Sequence, residues 1–236
     1  MTPAEIDAIL DRAEKAAAGD LGTTGFWRAV AAVKRDPALV EAHADRIAAI
    51  DDHAFGAWAL VRVPLGLGTA VMGAVTLVGV ALLGAAFPLD APWDGLALLA
   101  GTGTLAVSTH GLGHLAAGAR CGIRFTGWFI GRGRPQPGVK IDYASYLRAP
   151  ARCRAWMHAA GALVTKAVPV VALGVGTVAA APVWALAILA VVALLQIVTD
   201  VTLSTRSGDW KKYRREMRHA RGDGGTRWSR RGESNP

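Results

Sequence analysis

Two histidines near the middle of the chain have the spacing of a metal-binding pair. His110 and His114 are four positions apart in an apolar stretch, and on an α-helix this spacing places both imidazoles on one face, about 6 Å apart along the axis. Two imidazoles so placed can bind one divalent metal ion. Hydrogen bonding between helices is the alternative. Ionisable groups inside a membrane span are costly and usually mark a functional site, which favours metal binding.

Asp200 is the candidate third ligand. It lies in a later apolar stretch, six residues before the next arginine, while His114 and His110 lie six and ten residues before the arginine that follows them. At about 1.5 Å per helical residue, all three side chains are expected roughly 9–15 Å below the same membrane surface. Two histidines, one carboxylate and an open position form a ligand set typical of zinc. Helix capping or an ion pair with Lys166 is the alternative for Asp200.

Two residues of another apolar stretch could add to this site. His158 lies near the expected depth of His114, where it could be a fourth ligand and make the site structural, or an interfacial histidine without a partner. Lys166 is expected about 18 Å into its span. A buried lysine either pairs with an anion or loses its charge, so Lys166 is a further candidate contributor.

The distribution of charge indicates a membrane protein. Of 236 residues, 52% are hydrophobic and 19% are charged, against about 25% charged residues in soluble domains. The charges lie between four apolar stretches, at about 65–87, 95–119, 155–181 and 182–204. Each stretch is long enough to cross a bilayer as a helix. The sequence therefore predicts an all-α polytopic membrane protein with four transmembrane helices.

Basic residues set the expected orientation. Residues 119–154 and the C-terminal tail are rich in Lys and Arg, whereas the 88–94 loop has none. The positive-inside rule then places both termini and the 119–154 loop in the cytoplasm. There we expect Cys121 and Cys153, the two cysteines of the chain, to stay reduced. No nucleic-acid partner is expected, despite the net charge of +8, because the basic residues occupy the gaps between spans.

Three regions follow from this organisation. Residues 1–56 are expected to form cytoplasmic amphipathic helices, the first capped by Thr2 with Pro3 at its first position. Residues 57–206 form the membrane domain, with a cytoplasmic β-hairpin at 123–146 whose strands are 123–130 and 139–146. Residues 207–236 form a basic tail, helical on anionic lipid over 209–221 and disordered beyond.

The histidine pair, the later aspartate and the hairpin resemble the site-2 protease family of intramembrane zinc metalloproteases. That family carries a His-Glu-x-x-His motif on one span, an aspartate on a later span, and strands after the motif that bind an extended substrate. His110 and His114 match the motif histidines, and Asp200 falls where the aspartate would. A Gly-Pro-x-x-Asn element of the family corresponds to 161–165, where Ala162 and Thr165 replace Pro and Asn. The resemblance covers about 95–206.

One departure from the family bears on activity. The motif glutamate, a general base that accepts a proton from the attacking water, is replaced here by Gly111. The resemblance therefore implies a zinc-binding membrane protein with impaired or lost peptidase activity, whose partners are the lipid bilayer and a membrane-anchored protein. One alternative is an active metalloprotease with another base, although neither Asp142 nor Glu216 is placed for that role. The other is a non-enzymatic scaffold or an ion relay through the histidines, Lys166 and Asp200.

Overall fold

The computed structural model of the protein describes residues 1–16, 21–132, 134–203 and 208–232, and their side chains except those of 134–136, 200–203 and 222–232. The chain is mostly helical, with one small three-stranded sheet. It divides into two compact units. The first comprises Met1–Val63, Gly118–Ala155 and Arg215–Pro236, and the second comprises Pro64–Ala117 and Trp156–Arg214.

Three amphipathic helices begin the first unit: α1 (Pro3–Lys15), α2 (Phe26–Val33) and α3 (Pro37–Trp58). The predicted cap of α1 is confirmed, because the Glu5 backbone N–H donates to Thr2 Oγ1 at 3.3 Å and the Thr2 N–H donates to Glu5 Oε2 at 2.7 Å. The apolar faces of the three helices bury one another. The segment expected to be amphipathic therefore has its own core, which includes Ile6, Leu10, Phe26, Val33 and Ile47.

The predicted β-hairpin is also present in the first unit. Strands β2 (Phe125–Gly131) and β3 (Arg134–Ile141) pair antiparallel, with Phe125 opposite Ile141. The second predicted strand, 139–146, is wrong at both ends, because β3 begins at Arg134 and ends at Ile141. After Ile141 the chain forms the short helix α6 (Tyr143–Arg148), because the Asp142 carboxylate accepts the Ala144 backbone N–H and caps a helix instead of extending the strand.

A third strand, β1 (Ala59–Pro64), was not predicted and joins the edge of β2. Its approach depends on a glycine in the neighbouring strand. A Cβ at Gly127 would lie 2.7 Å from the carbonyl oxygen of Val63, so a larger residue would push the two backbones apart. The sequence around β1 resembles the start of the next apolar helix, and its partner is more than 60 residues away along the chain.

A buried ion cluster lies within the first unit. Lys34 Nζ donates to Glu216 Oε1 at 2.7 Å, and Arg154 Nε donates to Glu216 Oε2 at 2.7 Å. All three side chains are almost completely inaccessible to solvent. Burial by itself raises the pKa of Glu216, but the adjacent cations outweigh burial and lower it to about 2. Glu216 is therefore an ionised structural carboxylate.

We expect Glu216→Ala to destabilise the protein strongly. The substitution leaves the Lys34 and Arg154 cations buried without their common anion, and breaking a buried pair in this way costs about 3–5 kcal/mol. Thermal unfolding of the purified protein in detergent measures the effect. Glu41→Ala is the matched control, because Glu41 is 79% exposed and lies 3.7 Å from Arg148. Equal unfolding midpoints for the two variants would contradict the role given to the cluster.

The two cysteines form a disulfide in the structure, contrary to the expectation that both stay reduced. Cys121 and Cys153 have Cα atoms 5.8 Å apart, a separation that a disulfide bridges readily. The bond closes a loop that contains β2, β3 and α6. The expectation came from the cellular compartment alone, whereas the pairing is set by the fold of this segment.

The second unit is helical. It contains α4 (Leu65–Ala85) and α8 (Val183–Leu203), and most of α5 (Trp93–Ala119) and α7 (Ala151–Val178). These four helices correspond to the four apolar stretches. Buried side chains from several of them form its core, which includes Leu83, Leu98, Leu105, Ala172 and Leu189.

Within the described part of the chain, two helices are long and apolar enough to cross a membrane: α4 and α7. Only 11% of the most apolar window of α4 is buried, unlike the core helix of a soluble protein. Its exposed apolar side chains include Leu67, Leu77 and Val80. Helix α8 contributes a shorter apolar segment, Val183–Thr199. Length and composition thus support two of the four predicted spans, α4 and α7.

Helix α9 (Asp209–Gly232) follows Gly208, whose φ of 92° is favourable for glycine. The predicted helix over 209–221 is therefore present. The described backbone stays helical to Gly232, where the sequence favoured disorder, and residues 233–236 lie outside the described residues. The first residue of α9, Asp209, contacts His110 and His114 of α5.

Candidate metal site

Three potential metal ligands converge in the second unit. His110 and His114 lie one turn apart on α5, and Asp209 begins α9. Nε2 of His110 is 3.2 Å from Nε2 of His114. Asp209 Oδ2 is 3.4 Å from the first of these nitrogens and 3.3 Å from the second. Among the described residues, these three form a group that could hold a metal ion.

Helix α7 fixes the outer nitrogen of each imidazole. His114 Nδ1 lies 2.7 Å from the backbone oxygen of Met157. A carbonyl oxygen only accepts, so Nδ1 carries the proton. His110 Nδ1 lies 2.9 Å from Thr165 Oγ1, whose own hydrogen is donated to the Gly161 carbonyl oxygen at 2.9 Å. The hydroxyl must therefore accept from His110, and this Nδ1 is also protonated.

The inner faces of the three side chains then present only acceptors. A neutral imidazole protonated at Nδ1 has a lone pair at Nε2, and the Asp209 carboxylate has no hydrogen to donate. Three acceptor atoms 3.2–3.4 Å apart repel one another unless a metal ion or a proton lies among them. Holding the outer nitrogen with a hydrogen bond is also how proteins orient metal-ligating histidines.

The separations fit a small tetrahedral ion. With bonds of about 2.0–2.1 Å, ligand atoms on a tetrahedral ion are about 3.3 Å apart. The three donor atoms show separations of 3.2, 3.3 and 3.4 Å. The three residues could therefore hold an ion bound by two nitrogens and one oxygen.

Asp209 is ionised at the pH at which such a site would work. Its side chain is 15% exposed, and Lys212 Nζ lies 3.1 Å from its second oxygen. Burial by itself raises the pKa of this carboxyl group. When a proton and not a metal ion lies among these atoms, hydrogen bonds from His110 and His114 and the positive charge of Lys212 outweigh burial and hold the pKa well below its usual range.

The close packing of α5 on α7 depends on a glycine under one of the histidines. A Cβ placed on Gly161 would lie 2.3 Å from His114 Nε2 and 2.6 Å from Cε1, well inside contact distance. Gly113 faces the same helix, and a Cβ there would lie 3.2 Å from the Ala160 carbonyl oxygen. The first residue of the 161–165 element therefore provides space for the imidazole.

The other predicted site residues have different positions. His158 is buried on α7, with its ring centroid 6.5 Å from that of His114, beside the three-residue group and not part of it. Lys166 Nζ donates to the Ala162 carbonyl oxygen at 3.2 Å and lies 5.9 Å from the Trp210 ring centroid. Thr165 contacts His110 and orients it, as described above.

The structure places beside the histidines an aspartate that the sequence did not indicate, and Asp200 stays a prediction. Asp200 lies on α8, and its side chain is outside the described residues. The carboxylate that the structure places beside the two histidines belongs to Asp209. It follows a glycine and begins a helix, and in sequence an aspartate in that position suggests only a cap or first-turn charge. That ambiguity is why sequence reasoning missed it.

The two alternative bases, Asp142 and Glu216, both have partners within the first unit. Asp142 caps α6 and pairs with Arg124, with Nη2 and Oδ2 2.8 Å apart. Glu216 belongs to the buried ion cluster. Gly111 itself is buried on α5 and brings no side chain.

Comparison with known proteins adds no assignment. No family model matches the chain, and neither a curated protein nor a solved structure matches it. The functional argument therefore depends on the site itself.

Proposed function

We propose that this chain is an integral membrane protein that binds one zinc ion through His110, His114 and Asp209. In this proposal it resembles site-2 proteases but has impaired or lost peptidase activity. The carrying observation is the convergence of three acceptor atoms 3.2–3.4 Å apart, with each imidazole held by a partner at its outer nitrogen. An apolar packing contact or an interhelical hydrogen bond requires neither feature.

Zinc is favoured over other divalent ions by the ligand types. Two imidazoles and a carboxylate in tetrahedral spacing suit zinc, whereas magnesium and calcium prefer oxygen ligands in larger numbers. A zinc ion there would supply Lewis-acid activation of water or of a carbonyl group. His110 and His114 would hold it against α5, and Asp209 would fix it from the start of α9.

We further propose that all four apolar helices cross the membrane, with both termini cytoplasmic. The composition of α4 and α7 supports this directly, and the basic 119–154 segment and basic α9 give the orientation. Asp209 and its neighbour Lys212 would then lie at the cytoplasmic boundary. A membrane-anchored protein could reach the site from that side.

The loss of the proton acceptor is the reason for proposing impaired hydrolysis. Gly111 stands where the family has its glutamate, and the carboxylates of Asp142 and Glu216 have other partners, Arg124 and Arg154. Within the described residues, the group that could hold a cation contains one carboxylate, Asp209, and that carboxylate is itself a proposed ligand. A proton released from water would then have no assigned acceptor at the site. Binding of a membrane-anchored partner without rapid cleavage is the activity that this arrangement supports.

The decisive experiment measures zinc content and compares two aspartates. We expect the purified wild-type protein to contain about one zinc per chain, Asp209→Asn to lose most of it, and Asp200→Asn to retain it. The two variants make the same chemical change nine residues apart, so each is a matched control for the other. Elemental analysis after removal of loosely bound metal gives the readout.

Two outcomes would reject parts of this proposal. If Asp200→Asn loses zinc and Asp209→Asn keeps it, the third ligand is the one suggested by the sequence. If the wild type contains no zinc and binds none at micromolar concentration, the metal assignment fails and the histidines and Asp209 act as ion pairs or as a relay.

A further inference from the structure

The two cysteines of the chain have the spacing of a disulfide-bonded pair. Cys121 and Cys153 are the only two cysteines of the chain. Their Cα atoms are 5.8 Å apart, so the disulfide and the two thiols both fit the same backbone. Both residues are half-buried, so that small molecules in solution can reach them.

We propose that Cys121 and Cys153 form a reversible thiol–disulfide pair whose oxidised form tightens metal binding at His110, His114 and Asp209. This inference rests on the proposed metal-binding function. It also accounts for two observations that otherwise conflict: the charge pattern places the segment in the reducing cytoplasm, and the fold pairs its cysteines.

The disulfide lies where it restrains the helices that build the site. Cys121 follows the end of α5 at Ala119, and Cys153 is in the first turn of α7. Along these helices, His114 is seven residues before Cys121, and Met157 is four residues after Cys153. His114 and Met157 make the hydrogen bond that orients the imidazole. The covalent bond thus connects the chain just after α5 to the first turn of α7, the two helices that carry this hydrogen bond.

The chemistry requires an oxidant, and a low-molecular-weight disulfide is sufficient. One protein thiolate attacks the small disulfide, forms a mixed disulfide and releases one thiol. The second protein thiolate then attacks the protein sulfur of that mixed disulfide and releases the other small thiol. Overall, two protein thiols and one small disulfide give one protein disulfide and two small thiols, so protons and electrons balance.

Cys153 is placed to be the attacking residue. It lies in the first turn of the 28-residue helix α7, where the helix dipole stabilises a thiolate, and the exposed Arg152 precedes it. Cys121 precedes Gly122, which has a φ of 72°, in the turn after α5. This arrangement gives one attacking and one resolving thiol, which is the arrangement a reversible pair requires.

The test compares zinc affinity in the two redox states of the full-length protein in detergent. One sample is treated with glutathione disulfide and the other with dithiothreitol, and a maleimide–polyethylene glycol shift reports the free thiols of each. Zinc affinity is then measured by competition with a chromogenic chelator. We expect both treatments to go to completion reversibly, and the oxidised protein to bind zinc about fivefold or more tightly.

The double variant Cys121→Ser/Cys153→Ser is the control. It removes the thiols, which could themselves bind zinc. We expect its zinc affinity to equal that of the reduced wild type and to be unchanged by either reagent. Equal zinc affinity in the oxidised wild type and the double variant would overturn the inference while leaving the proposed function intact. A pair that dithiothreitol cannot reduce in the folded protein would also overturn it. Absence of zinc binding in every sample would reject the proposed function and the inference together.

Discussion

Gly161→Ala is expected to reduce zinc affinity by about 100-fold, at the upper end of what disturbing the surroundings of a metal ligand costs. The added methyl group would lie 2.3 Å from His114 Nε2, 2.6 Å from Cε1 and 2.7 Å from Cδ2. It overlaps the ring over three atoms, so the imidazole must move. The ring cannot simply swing aside, because its Nδ1 is bound to the Met157 carbonyl oxygen. The helices cannot easily separate, because Gly113 packs against the backbone at Ala160.

Gly174→Ala provides the matched control on the same helix. A Cβ at Gly174 would meet no atom within 4 Å, and alanine favours a helix by about 1 kcal/mol over glycine. We therefore expect zinc affinity to be unchanged and thermal stability to be equal or slightly higher. Competition titration with a chelator measures both variants. If Gly161→Ala binds zinc as tightly as Gly174→Ala, the imidazole is not positioned as the structure places it.

The local sequence pattern was sufficient to predict the parts of the site that lie on a single helix. The four-residue spacing of His110 and His114 depends only on helical periodicity, and the structure places their two inner nitrogens 3.2 Å apart. The same holds for the cap at Thr2. The β2–β3 hairpin is also local, because its strands are joined by a short turn rich in glycine and proline.

The third ligand depends on a path that the sequence does not specify. Asp200 was predicted because its expected depth in a straight span matches that of the two histidines. Asp209 lies beyond the last apolar helix. The local sequence around each aspartate does not show which carboxylate meets the histidines. Residues 204–207 of that path lie outside the described residues, but Asp209 itself is described, and its carboxylate contacts both imidazoles.

Other features were missed for the same reason, since they join distant parts of the chain. Strand β1 pairs with a strand more than 60 residues later, and Cys121 pairs with Cys153 across 32 residues. Lys34 and Arg154 meet Glu216 across 182 and 62 residues. Nothing in the local sequence distinguishes these residues from others of the same type. Long-range packing alone turns ordinary basic residues into partners of a buried carboxylate.

Gly111→Glu is expected to raise hydrolysis of a membrane-anchored peptide by about 10²–10⁴-fold, which is the usual contribution of general-base assistance. The glutamate would follow His110 directly on α5, where the site-2 protease family carries its base. Its carboxylate would supply the proton acceptor that the site lacks. The measurement is a cleavage assay with zinc-loaded protein in detergent or liposomes, using a substrate with one transmembrane segment.

Gly111→Gln separates the effect of the carboxylate charge from the effect of the size and shape of the side chain. Glutamine has the same shape but accepts no proton at neutral pH, so we expect it to bind zinc and remain as slow as the wild type. A gain with glutamate alone would mean that the scaffold is competent and that the missing base limits it. If the wild type already cleaves as fast as Gly111→Glu, and His110→Ala abolishes that cleavage, then a different residue serves as the base. If neither substitution gives cleavage although zinc is bound, the site serves to hold a partner and not to hydrolyse it.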